Sequence, residues 1–165
     1  MIVEIFKLLI NSQLLALGRF FKKHRKIFQS TYLLTKKNNG RNNMSEFKID
    51  FDYDRQFDSL FVYCSNEYEY DTSLELEDDI IVDFDKNNVP VAFEFLNASK
   101  LFKINKNDFS NLVHISIQSN INEDQINLAI HLVAIIRNKH TDFDKNLVAS
   151  NLSNIPNCTS ELVTA

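Results

Sequence analysis

Between Phe47 and Asp54 apolar and polar positions alternate without a break: Phe47, Ile49, Phe51 and Tyr53 on one side, Lys48, Asp50, Asp52 and Asp54 on the other. A period of two predicts a half-buried strand, here with an anionic wet face. Arg55-Gln56 reads as a turn, and Asp58 to Cys64 as a second strand with Leu60, Val62 and Cys64 inward. Asn66 to Asp71 is an acidic loop, and Thr72 to Glu77 adds a short strand. The stretch from Asp79 to Ser99 predicts a hairpin, because the apolar runs Ile80-Ile81-Val82 and Val89 to Leu96 are joined by Asp85-Lys86-Asn87-Asn88, a turn-forming sequence. Its second arm is apolar on both faces, with Val91, Phe93 and Phe95 on one and Ala92 and Leu96 on the other, as in a strand central to a covered sheet. Glu94 is the exception. Pro90 has no N–H to give to a ladder and belongs at the start of this arm.

Asn97-Ala98-Ser99 predicts a helical turn running through Lys100-Leu101-Phe102, and Asn105 to Asp108 a polar turn. From Leu112 the alternation returns, with Val113, Ile115, Ile117 and Ile121 inside and His114, Ser116, Gln118 and Asn120 outside. Ile126, Leu128, Ile130 and Leu132 then alternate with Asn127, Ala129 and His131. A helix over Asp124 to Arg137 is compatible with these residue types, but the pattern favours a second hairpin. A turn at Asn122-Glu123 would set His114 opposite His131. Residues 138–165 are polar and rich in Asn and Ser, which predicts a loosely held tail. The expected architecture is α+β: a mainly antiparallel sheet of hairpins or a meander, with one or two short helices, over residues 44–137. A separate basic helix over residues 1–43 precedes it, and a tail over 138–165 follows.

With 165 residues, 44% of them hydrophobic and 14 Phe, the chain suits one domain with a modest core. It has only two Gly and two Pro, so its turns must lean on Asp and on its 20 Asn. The net charge of −4 conceals a division: residues 1–43 carry +8 and residues 44–165 carry −12. The acidic body argues against nucleic acid binding, which needs clustered Lys and Arg. Cys64 and Cys158 stand far apart with no CxxC, which suits a reducing, cytoplasmic setting.

Met1 to Leu17 is apolar and is followed by the basic run Arg19 to Lys26, the reverse of a signal peptide's order. Three readings stay open. Residues 1–28 form an amphipathic helix on an anionic membrane, or a basic arm that binds nucleic acid or folds back on the acidic body. Alternatively, and preferred here, translation begins at Met44, since the codons of Gly40-Arg41 can spell a purine-rich ribosome-binding string.

Four segments form one pattern: Tyr53-Asp54, Asp58 to Val62, Ile80 to Asp85, and Val91 to Ser99 (VAFEFLNAS). This resembles the small prokaryotic family called domain of unknown function 2283, with its Y-D-x-x-x-D-S-L-Y-I opening and I-L-D-Y-D…V-G-I-E-I-L-N-A-S core. The resemblance spans about residues 47–103. Two departures stand out: Asn87-Asn88 replaces a frequent Gly in the turn, and Ala92 replaces the Gly of V-G-I-E. The resemblance implies no established activity. Some members are encoded beside small toxin candidates, which implies an antitoxin-like role. The recurring polar residues, Glu94, Asn97, Ser99, Asp83, Asp85 and Asp58, are the candidate functional set.

Asp50, Asp52 and Asp54 begin like a calcium loop, but Arg55 and Phe61 stand where the loop needs Gly and Glu, so an anionic strand face is the better reading. Glu94 in an apolar strand is either a carboxyl of raised pKa able to act as acid or base, or a structural residue at an edge or capping the Asn97-Ser99 backbone. His114 and His131 are two ligands at most, too few for zinc without a dimer mate. No catalytic triad order, phosphate loop or HExxH occurs, and no cofactor motif is present. The expected function is a non-catalytic interaction module whose sheet edges and acidic face meet a basic protein partner. The alternatives are an enzyme or small-ligand binder centred on Glu94, Asn97 and Ser99, and a membrane-surface protein held by residues 1–28.

Overall fold

The computed structural model describes residues 45–164 apart from Asp78. The chain divides between Lys36 and Lys37, and every described element falls in the second unit. The expected basic helix, the alternative start at Met44 and the membrane reading of residues 1–28 therefore lie outside the described residues.

Strands β1 (Ser45–Asp54) and β2 (Ser59–Cys64) form the first hairpin. Next come β3 (Tyr70–Glu77), β4 (Ile80–Asp85) and β5 (Pro90–Phe95), paired in sequence, with β5 returning to β2. Two short helices follow, α1 (Ala98–Phe102) and α2 (Lys106–Phe109). The chain then runs through β6 (Leu112–Ile121), β7 (Gln125–Ile136), β8 (Lys139–Ser150) and β9 (Cys158–Thr164). Among the described residues these nine strands make one sheet, ordered β3-β4-β5-β2-β1-β9-β6-β7-β8. All neighbours are antiparallel except β1 and β9, so the sheet is mixed rather than purely antiparallel.

The alternation that builds each strand also gives each one an apolar face. Ile49, Val62, Val82 and Phe93 from one half of the sheet share a single core with Ile117, Leu128, Leu132 and Leu162 from the other half. To bring them together the sheet curls, and its outer strands β3 and β8 come into contact. The helices pack on β7 and β8, and their aromatic residues extend the core. Phe95 meets Phe102 edge-on with centroids 5.2 Å apart, and Phe109 stacks on Tyr53 at 4.7 Å.

Both faces of β5 are buried, as its two-sided apolar sequence predicts. Pro90 opens that strand, and Asn88 takes the positive φ (59°) that the turn before it requires. At the second hairpin the structure shifts the expected register by two: the turn centres on Glu123-Asp124, His131 lies opposite Ser116, and His114 lies opposite Val133. The cause is local, because the Asn122 side chain accepts from the Asp124 and Gln125 amides and pins the turn one residue later. Val113, expected inside, is exposed, and an irregularity between Leu112 and His114 puts Leu112 inside in its place.

The largest difference is at the C-terminal end. Residues 138–164, expected to be a loose tail, supply β8 and β9, and β9 lies between β1 and β6 in the middle of the sheet. Their polar composition hides the strands: β8 is mostly exposed or half-buried, with Leu147 its one buried residue, and β9 buries Ser160 and Leu162 completely with only Leu162 as a large apolar anchor. Leu162→Ala is expected to lower stability by roughly 2–5 kcal/mol in urea denaturation, the range for a truncated buried leucine. A change within about 0.5 kcal/mol, as at an exposed position, would contradict the central placement of β9.

Candidate functional site

The recurring polar residues sort into separate hydrogen-bonded groups, and the first is built around Asp58. This residue ends the β1–β2 turn with positive φ (55°), which Asp tolerates, and it is 6% exposed. Its carboxylate accepts from the Tyr53 hydroxyl at 2.7 Å, the Ser99 hydroxyl at 2.7 Å and the Ser99 amide at 3.1 Å. Its backbone carbonyl accepts the Ala98 amide at 2.9 Å. The N-cap of α1, Asn97, makes no side-chain cap bond, so Asp58 supplies the cap from a different part of the chain. The Lys106 ammonium lies 3.6 Å away. Burial would raise the Asp58 pKa, but the bonds from Ser99 and Tyr53 and the charge of Lys106 outweigh it and hold the carboxyl below its ordinary value. Through the same contact, and chiefly through burial, the Tyr53 hydroxyl is pushed up.

Asp85 and Asn97 serve the backbone. The Asp85 carboxylate accepts the Asn87 and Val89 amides and closes the β4–β5 turn. Asn97 takes a left-handed conformation at the end of β5 (φ 48°), and its side-chain amide donates to Asp79 at 2.7 Å.

Glu94 and Asp83 stand on the face of the sheet turned away from the core. They are 5% and 4% exposed. Glu94 faces Phe61 on β2 and Ile81 on β4 across the ladder, which keeps it from water. The Ser59 hydroxyl donates to its Oε1 at 2.9 Å, while Oε2 is buried with no partner. Asp83 accepts from the Ser73 hydroxyl at 2.6 Å. Burial raises both carboxyl pKa values, and the neighbouring Asp83 charge raises Glu94 further. Glu94 is thus neither at an edge nor a cap for Asn97-Ser99. Glu94, Asn97 and Ser99, close in sequence, bond to Ser59, Asp79 and Asp58 respectively and do not converge.

The imidazoles of His114 and His131 lie 6.2 Å apart as diagonal neighbours. His131 Nδ1 is 2.8 Å from Asp144, and His114 Nδ1 is 2.7 Å from the Thr164 hydroxyl. Among the described residues no group of three or more His, Cys, Asp or Glu side chains could hold a metal ion. Both thiols are free, and burial pushes that of Cys64 up to about 12. Tyr53 and Ser59, which complete the bonding of Asp58 and Glu94, stand inside the quoted motif and could have been paired from it. Ser73 and Lys106 have no such signal.

The Asp58 pKa is lower in the fold, so its stabilisation is present above the ordinary value of about 4 and lost as pH falls through the folded value. Asp58→Ala should therefore destabilise by about 3 kcal/mol near neutral pH, with a smaller deficit in acid, read by urea denaturation at several pH values. Glu94 is raised in the fold, so its stabilising effect is full below about pH 4 and lost as pH rises through the folded value. Glu94→Gln keeps the Ser59 bond without the charge, and should match or exceed wild-type stability near pH 7, with no such advantage near about pH 4.

A family model described as protein of unknown function (DUF2283) matches residues 50–99. That span holds all the residues of the Asp58 and Glu94 groups except Lys106. An uncharacterised protein of Methanocaldococcus jannaschii is 42% identical over 93 residues, which is 56% of this chain and 78% of that protein. A protein of Methanosarcina mazei, provisionally named hypoxanthine phosphoribosyltransferase, is 33% identical over 106 residues, 64% of this chain and 85% of that protein. No solved structure matches the chain. The relatives extend well past the matched motif on both measures, and the motif residues hold one another in place across β1, β2, β5 and α1, so the chain belongs to the DUF2283 family of proteins of unknown function.

Proposed function

We propose that the domain is a non-catalytic interaction module that receives a cationic segment of a partner protein on the outward face of β1, β2, β5 and β4. One observation carries the reading: Glu94 and Asp83 lie together on that face, and no cation pairs with either among the described residues. A buried carboxylate without a counter-charge is costly, and a partner's guanidinium relieves that cost. Strands β1 to β5 carry ten carboxylates and a single cation, Lys48, which favours fast capture of a basic protein. The rings of Phe61 and Tyr63, stacked 5.2 Å apart on the same face, suit the flat side of Arg better than Lys. A small basic toxin, the partner implied by the family resemblance, has this chemistry.

Catalysis centred on Glu94, Asn97 and Ser99 has less support, because their side chains point to three different partners. The M. mazei relative's name suggests phosphoribosyl transfer, and the same dispersal weighs against it here. The membrane-surface alternative rests on residues 1–28, outside the described residues; among those described, no helix is long and apolar enough to cross a membrane.

Titration with an oligo-arginine peptide tests the proposal. Its affinity should fall with salt, and should rise with pH as the two raised carboxyls ionise. Glu94→Gln with Asp83→Asn should weaken it about tenfold, while Asp142→Asn with Asp144→Asn, on β8, should leave it unchanged. Equal losses in both double variants would reduce the effect to net charge and refute the site.

A further inference from the structure

Four of the nine basic residues in the acidic body line one open cleft of about 830 Å3. Arg55 comes from the β1–β2 turn, Lys103 from the end of α1, Lys106 from α2, and Arg137 from the β7–β8 turn. Asp108 is the one carboxylate of the lining, and it already accepts from the Asn105 side chain at 3.3 Å. Lys106 is shared with Asp58, but Arg55, Lys103 and Arg137 form no ion pair among the described residues. In a body of charge −12 such a cluster of unneutralised cations is a local inversion of the field.

The backbone supplies a second, independent argument. Among the described residues seven have positive φ, and five of these are Asp or Asn, the types that tolerate it. The other two, Lys103 (φ 58°) and Arg137 (φ 51°), both line the cleft. Lys103 occupies a helix-terminating position that favours Gly or Asn, and Arg137 the first position of a two-residue hairpin turn that favours Asn. This chain uses Asn freely, yet it places cations at these two positions despite the backbone cost.

The volume suits a small organic molecule, and Ile136 and Phe143, on one face of the β7–β8 pair, add an apolar wall beside the charges. We propose that the cleft binds a compact phosphorylated small molecule of nucleotide size, with its phosphates on Arg55, Lys103 and Arg137 and its organic part against Ile136 and Phe143. An extended nucleic acid fits poorly, because beyond the four cations of the cleft the body carries 21 carboxylates against five other cations. This site is separate from the acidic face and stands without it.

Calorimetric titration of the whole chain with ADP, inorganic pyrophosphate and an oligothymidylate, in about 0.15 M salt, tests the proposal. ADP and pyrophosphate should bind, and ADP more tightly than the oligonucleotide. Lys103→Asn and Arg137→Asn should each weaken ADP about tenfold while raising the melting temperature, since Asn suits both backbone positions. Absence of binding, tighter binding of the oligonucleotide, or unchanged ADP affinity in both variants would overturn it. A fall in melting temperature in both variants would make the cations structural and overturn it equally.

Discussion

The fold turns on one carboxylate held out of water. Asp58 gathers a hydroxyl from β1, a hydroxyl and an amide from α1, and the Lys106 ammonium of α2 around a single side chain. A buried charge is tolerated when it is this fully bonded, and removing any donor leaves the rest in an unfavourable place. The same group sets where the chain goes after β5. By capping α1 from outside, Asp58 fixes the start of the segment that carries Phe102 and Phe109 into the core. It also fixes the segment that carries Lys103 and Lys106 to the basic cleft.

The motif can now be read as mechanics. Asp58 and Ser59 are adjacent and reach in different directions, one to Ser99 beyond the end of β5 and the other to Glu94 within it. Asp85 closes its own turn, and Asn97 supplies the left-handed residue that turns the chain into α1. Ala98 is completely buried beside this junction, where a larger side chain has no room. What the folding account leaves over is the Glu94–Asp83 pair, whose carboxyls are buried without a cation and are not explained by turn or cap geometry.

How far the sequence disclosed this depended on whether each signal was local. Strands β1 to β5 were legible because apolar alternation and the Asp85 turn are local, and Pro90 and Asn88 then occupied the positions their stereochemistry requires. The register of β6 and β7 was missed because one side chain, Asn122, decides where the turn closes. Strand β9 was missed because a strand covered by neighbours can succeed with little apolar matter of its own: Ser160 and Leu162 suffice between β1 and β6. The sequence names Asp58, Glu94, Asn97 and Ser99 but not the partners they bond to, because those partners lie on other elements. The cleft was invisible, since Arg55, Lys103 and Arg137 lie far apart in the sequence and meet only in the fold.

The most direct test of the Asp58 account is a double-mutant cycle between Tyr53→Phe and Ser99→Ala, read by urea denaturation near neutral pH. The two hydroxyls share one carboxylate, so their effects should couple by about 0.5–3 kcal/mol rather than add. Strict additivity, within about 0.3 kcal/mol, would mean that the two ends of the motif do not act through Asp58, and the central claim would fail.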